Sequence, residues 1–131
     1  MSSSRVLVFD SGVGGLSIAE AIRARLPDAR LLYLGDNACF PYGDQPGERV
    51  TRRCVELITA ALEHYPVDVV VIACNTASTI VLPTLRAVID VPVVGVVPAI
   101  KPAARATRSG RIGLLATPAT VSRPYLEQLI T

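Results

Sequence analysis

Tryptophan is absent from this 131-residue chain, histidine, lysine and methionine occur once each, and aromatic residues make up only 5%. Each shortage excludes a chemistry. A nucleic-acid surface needs clustered basic residues or aromatic platforms for bases. Here the basic side chains are scattered and touch in sequence only at Arg52-Arg53, so no nucleic-acid partner is expected. The single histidine, His64, is followed by Tyr65-Pro66 and reads as a surface residue at a helix end. With one histidine and three cysteines (Cys39, Cys54, Cys74) at no metal-site spacing, no zinc set is expected, nor a Cys–His nucleophile pair. Lys101 is the only lysine and no Schiff-base lysine is visible in the sequence, so no cofactor is expected. An odd number of cysteines without a disulfide framework fits reduced thiols in the cytoplasm. A long apolar run is also missing. Residues 91–100 form the longest and are interrupted by proline, whereas a membrane span takes roughly 20 residues. Val6–Phe9 is too short for the core of a signal peptide and Asp10 ends it.

What is present is half hydrophobic, 18% charged and nearly balanced at a net charge of +2, which allows a packed domain. Apolar β-branched runs alternate with helical stripes, the βα signature. Strands are predicted at 5–9, 31–34, 67–73, 91–97 and 111–116. Helices are predicted from the glycine turn to Leu26, from about Pro46 to His64, over 79–88 and 103–107, and over 120–130. The runs are continuously apolar, as in a parallel sheet covered on both faces. The fold class expected is α/β.

Four segments carry chemistry, each where a strand passes into a loop. At the carboxyl ends of parallel strands ligands bind. Asp10-Ser11-Gly12-Val13-Gly14-Gly15 is not a dinucleotide fingerprint, because Ser17 stands where the last glycine belongs, and no Gly-Lys-Ser/Thr makes it a P-loop. A carboxylate at a strand tip suits proton handling, although a tight turn capped by Asp10 or Ser11 explains the segment equally well. Pro41-Tyr42-Gly43 lies in a loop on the same edge, where Tyr42 can offer a hydroxyl and Gly43 an amide, and taken alone it reads as an ordinary turn. Cys74-Asn75-Thr76 ends an apolar run with a thiol, which as a thiolate can be nucleophile or proton-abstracting base; a thiol at a helix start ionises more readily. Cys54 sits on an apolar helix stripe and reads as a core residue. Thr117 and Thr120 precede a helix and can cap it or cradle a carboxylate.

Taken in order, Phe9–Gly15, Gly35-Asp36 with Pro41-Tyr42-Gly43, Ala73–Ser78, and Val94–Ala99, with Thr117 and Thr120, closely resemble the aspartate/glutamate racemase family over about Val6 to Leu126. Asp-Ser-Gly-Val-Gly-Gly with Pro-Tyr-Gly favours its glutamate-type members over aspartate or hydantoin racemases. The resemblance implies two flavodoxin-like domains facing each other: here residues 1–97 as the first and 98–131 as the start of a second. It implies cofactor-independent interconversion of L- and D-glutamate by two cysteines on opposite faces of the α-carbon, supplying D-glutamate to peptidoglycan. Cys74 would be one of the pair and Asp10 its assistant. Ser11, Pro41, Tyr42, Gly43, Asn75, Thr76, Thr117 and Thr120 would bind the substrate. The family's second cysteine lies in a Gly-Cys-Thr-His segment that has no counterpart here, so the chain by itself is expected to be nearly inactive. A homodimer is left open, and so is a reading of another class: a non-catalytic α/β module binding a small anion or a partner.

Overall fold

A computed structural model describes residues 3–130. Four strands, β1 (Arg5–Asp10), β2 (Arg30–Gly35), β3 (Val69–Ile72) and β4 (Val93–Gly95), form one parallel sheet in the order β2-β1-β3-β4. The helices are α1 (Leu16–Arg25), α2 (Gly47–His64), α3 (Asn75–Ser78), α4 (Leu82–Val88), α5 (Ile100–Ala106), α6 (Pro118–Val121) and α7 (Pro124–Ile130). Short 3-10 turns occupy Asn37–Cys39 and Tyr42–Asp44. This is the flavodoxin-like strand order, in which the chain reverses direction between β1 and β3.

Side chains alternate across a strand, and β1 divides accordingly. Leu7 and Phe9 join Val70, Ile72 and the inner side of α2 in the main core. Val6 and Val8 point the other way, with Val71 and Ala73, toward Ile18, Ala19 and Ile22 of α1. The continuous apolar runs are thus covered on both sides. In α2, Val50, Cys54 and Ile58 recur every four residues and are buried. Cys54 is a core residue, and burial pushes its thiol up to about 12. No residue of α1 is fully buried, so its face of the sheet is more thinly covered.

The sequence expectations hold for β1 to β4, α1, α2 and α5 to within a few residues at the ends. Three others need correction. The helix expected over 79–88 begins at Leu82, preceded by the one-turn α3. Pro83 has no N–H to give to the Thr79 carbonyl, so the α-helical ladder breaks between them. The helix expected over 120–130 is two, α6 and α7; Pro124 disfavours helical backbone at the residue before it, and the chain turns at Ser122-Arg123. The strand expected at 111–116 does not form. Those residues are irregular, and Ile112, Leu114 and Leu115 are exposed. Their apolar character signals a strand, but a strand exists only with a neighbour to share its hydrogen bonds, and none of the described strands lies beside it.

Candidate active site

The register of the sheet builds the centre of the site. Val6 pairs with Val69, Val8 with Val71 and Phe9 with Ile72, a constant parallel offset. The Ala73 N–H continues it by donating to the Phe9 carbonyl at 2.7 Å. Carried two residues beyond the Phe9–Ile72 pair, the same offset brings Ser11 beside Cys74. Both lie at the point between β1 and β3 where the connections diverge and the sheet opens a crevice.

Cys74 has extended backbone and caps α3: the Ala77 N–H donates to its Sγ at 3.4 Å. Its S–H lies 3.7 Å from the Ser11 hydroxyl oxygen, to which it donates. The residue is only 8% exposed. The helix behind it is a single turn, so what the sulfur meets is one backbone amide rather than a long helix axis.

Asp10 is buried at the tip of β1, and its Oδ2 gathers three donors. The Gly12 and Gly15 N–H groups donate at 3.2 and 3.0 Å, and the Tyr33 hydroxyl lies at 3.4 Å. Tyr33 donates more closely to the Gly12 carbonyl, at 2.9 Å. Burial, with the Asp10 carboxylate beside it, pushes Tyr33 up to about 12. Gly15 is required here: a Cβ would stand 2.8 Å from the Asp10 Cβ and 2.9 Å from the Ala73 Cβ.

A second group forms the rim. Thr76 and Thr117 pair through their hydroxyls at 3.0 Å, and Thr117 and Thr120 at 3.1 Å. Gly43 packs on Thr117, where a Cβ would come within 2.8 Å of its methyl group. Asn75, Thr76, Thr117 and Thr120 line a cleft of about 1400 Å³ that runs on between α5 and residues 110–116. Cys74, Asp10 and Ser11 do not line it; they lie at the sheet edge beside it.

The structure therefore brings Cys74 to Ser11, and Gly43, Thr76, Thr117 and Thr120 to one another, while Asp10 bonds to its own loop rather than to the sulfur. Pro41 is exposed, after a cis bond from Phe40. Tyr42 is turned inward: 2% exposed, its ring packs near Phe9 and its hydroxyl donates to Asp36 Oδ2 at 2.6 Å. Burial, together with the Asp36 carboxylate, raises Tyr42. Asp36, at the tip of β2, also receives Arg53 Nε at 2.9 Å and Arg53 Nη2 at 3.0 Å. This bidentate pair holds the Asp36 carboxyl below its ordinary value, against the opposing effect of burial. Tyr33, Asp36 and Arg53 carried no assigned role in the sequence. The available signal was position, since Asp36 closes β2 as Asp10 closes β1. Among the described residues no three His, Cys, Asp or Glu side chains are grouped to hold a metal.

A doubly wound parallel sheet with a thiol at its switch point and hydroxyls around the adjoining cleft defines a flavodoxin-like α/β protein with a thiol-centred site. The chain belongs to the Asp/Glu/hydantoin racemase family, whose model matches residues 16–131. It is 58% identical over 125 residues to glutamate racemase of Salmonella typhimurium strain LT2, an alignment covering 95% of this chain and 44% of that protein. Among solved structures, Escherichia coli glutamate racemase in complex with L-glutamate and the activator UDP-MurNAc-Ala superposes with a TM-score of 0.93 at 55% identity, over 98% of this chain and 48% of that one. Glutamate racemase of Aquifex pyrophilus superposes with a TM-score of 0.87 at 41% identity, over 96% and 50%. The chain spans about half the length of the relatives it matches.

Proposed function

We propose that this chain is the N-terminal portion of a glutamate racemase, with Cys74 as one of two proton-transfer groups. In this reading the Cys74 thiolate takes the α-proton and becomes a thiol. The planar carbanion is then reprotonated from its other face by a second thiol, which becomes the thiolate. The reaction is balanced without a cofactor. Asp10 assists proton handling beside Cys74. Ser11, Gly43, Asn75, Thr76, Thr117 and Thr120 hydrogen-bond the substrate's carboxylates and ammonium, and Tyr42 and Pro41 shape the loop that carries Gly43.

The observation that carries this reading is the Cys74–Ser11 pair at the β1/β3 crevice, next to the linked Thr76, Thr117 and Thr120 hydroxyls. A carbanion beside a carboxylate needs dense hydrogen bonding in a water-poor site. One wall of donors with an open cleft in front supplies half of that. We assign residues 1–97 to a first domain and 98–131 to the beginning of a second, which faces it and brings the other cysteine. The product would be D-glutamate for peptidoglycan in a bacterial cytoplasm, made by an enzyme that can pair as a homodimer.

The test is racemisation of L-glutamate followed by circular dichroism, using the whole polypeptide that the gene encodes. Loss of a general base typically costs about 10²–10⁴-fold in rate, and Cys74→Ala is expected to fall in that range with the fold retained. Wild-type turnover in that variant would overturn the assignment. The 131-residue chain alone is expected to be nearly inactive.

A further inference from the structure

From the contacts of the β1 tip we infer that Tyr33 is a positioning residue for Asp10, fixing the carboxylate through the Gly12–Gly15 loop; the inference rests on the racemase reading for its consequence, not for its geometry. Tyr33 comes from β2, the strand beside β1, where Val8 pairs with it in register. Its side chain rises on the α1 face of the sheet toward the loop that follows Asp10. One phenolic proton is available, and its nearer acceptor is the Gly12 carbonyl at 2.9 Å, with Asp10 Oδ2 at 3.4 Å.

The loop is therefore closed twice. Asp10 Oδ2 binds the Gly12 and Gly15 amides from inside, and Tyr33 binds the Gly12 carbonyl from outside. The same phenol would stand 3.0 Å from a Cβ at Gly15, so it also packs against the loop's far end. Every hydrogen bond described for the carboxylate falls on Oδ2, which sets the rotation of the group and leaves Oδ1 as the oxygen for chemistry. Without the Tyr33 hydroxyl the loop keeps its inner bonds and loses its outer one, and Asp10 gains freedom to rotate. Tyr33 need not touch substrate to do this.

Tyr33→Phe keeps the ring and removes the hydroxyl. One net hydrogen bond corresponds to roughly 2- to 10-fold in an opening equilibrium. Amide hydrogen exchange in the 131-residue chain should therefore quicken by about that factor at Gly12 and Gly15, while Leu7 and Val70 in the core stay as they were. In the whole polypeptide the variant should lower kcat by a similar factor with KM little changed. In an Asp10→Asn background the added loss should shrink toward none. Unchanged exchange at both glycines overturns the inference, and so does an equal kcat loss with and without Asp10. A wild-type polypeptide that does not racemise glutamate overturns the functional reading instead; the exchange measurement then still decides whether Tyr33 holds the loop.

Discussion

The Asp36 carboxylate accepts three hydrogen bonds and shows how one residue supports a site from beneath. It takes Tyr42 on one side and the Arg53 fork on the other, and so ties the loop bearing Gly43 to α2. Arg53 lowers its pKa below the ordinary 3.8. A lowered folded-state value means that the contribution to stability is fully present above pH 3.8 and is lost as pH falls through the folded value. Urea unfolding of wild type and Asp36→Asn should therefore show a gap at pH 6 that narrows by about pH 3. A gap of equal size at both would show that the ion pair is not linked to folding. The fate of Tyr42 shows what a sequence motif leaves open. Pro-Tyr-Gly locates a loop at the sheet edge, but the direction of its phenol depends on an aspartate six residues earlier and an arginine eleven residues later.

Among the elements, the turn from β1 into α1 is a tight joint. A methyl at Gly15 would strike Asp10 and Ala73, whereas at Gly14 its nearest neighbour is Asp10 Oδ2 at 3.9 Å. Gly15→Ala should cost about 1–3 kcal/mol, in the range of overpacked cores, and Gly14→Ala much less. Chemical denaturation of the two variants measures the difference, and equal losses would contradict the packing. Elements whose signal is local were legible from sequence: the β-branched run of β3, the four-residue spacing of Val50, Cys54 and Ile58, the glycines after Asp10. Those that depend on a partner or on a broken ladder were not. Pro83 and Pro124 divide helices that apolar periodicity joins, and residues 111–116 have a strand's composition without a strand's neighbour. The meeting of Ser11 and Cys74 was legible because Asp10-Ser11 and Cys74 each follow an apolar run at a strand end. The Tyr33 and Arg53 contacts come from side chains whose targets lie 17 to 23 residues away, and no local pattern announces them.

At the scale of the whole molecule the two ends of the chain differ. The sheet is packed on both faces, while Ile112, Leu114 and the fully exposed Leu115 turn apolar surface to water along the large cleft. Contiguous apolar surface of this kind marks a contact region. In the domain assignment proposed above these residues open the second domain, and the rest of that domain would cover them. For the 131-residue chain the expectation is weak, concentration-dependent self-association, reduced in Leu115→Lys with unfolding unchanged, since that side chain packs on nothing within the fold. Sedimentation velocity over a range of concentrations tests this; identical profiles for the two chains would place the sticky surface elsewhere.

The sheet order also has a consequence for synthesis. β1 lies between β2 and β3, so the partner for one of its edges is made before the partner for the other. Residues 36–68 take roughly 2–7 s to translate at about 5–20 residues per second. During that interval at least one edge of β1 is an open row of backbone donors and acceptors. When β3 arrives, the register that closes this edge also sets Cys74 beside Ser11. Protection of the nascent edge and assembly of the thiol centre are then one event on the ribosome.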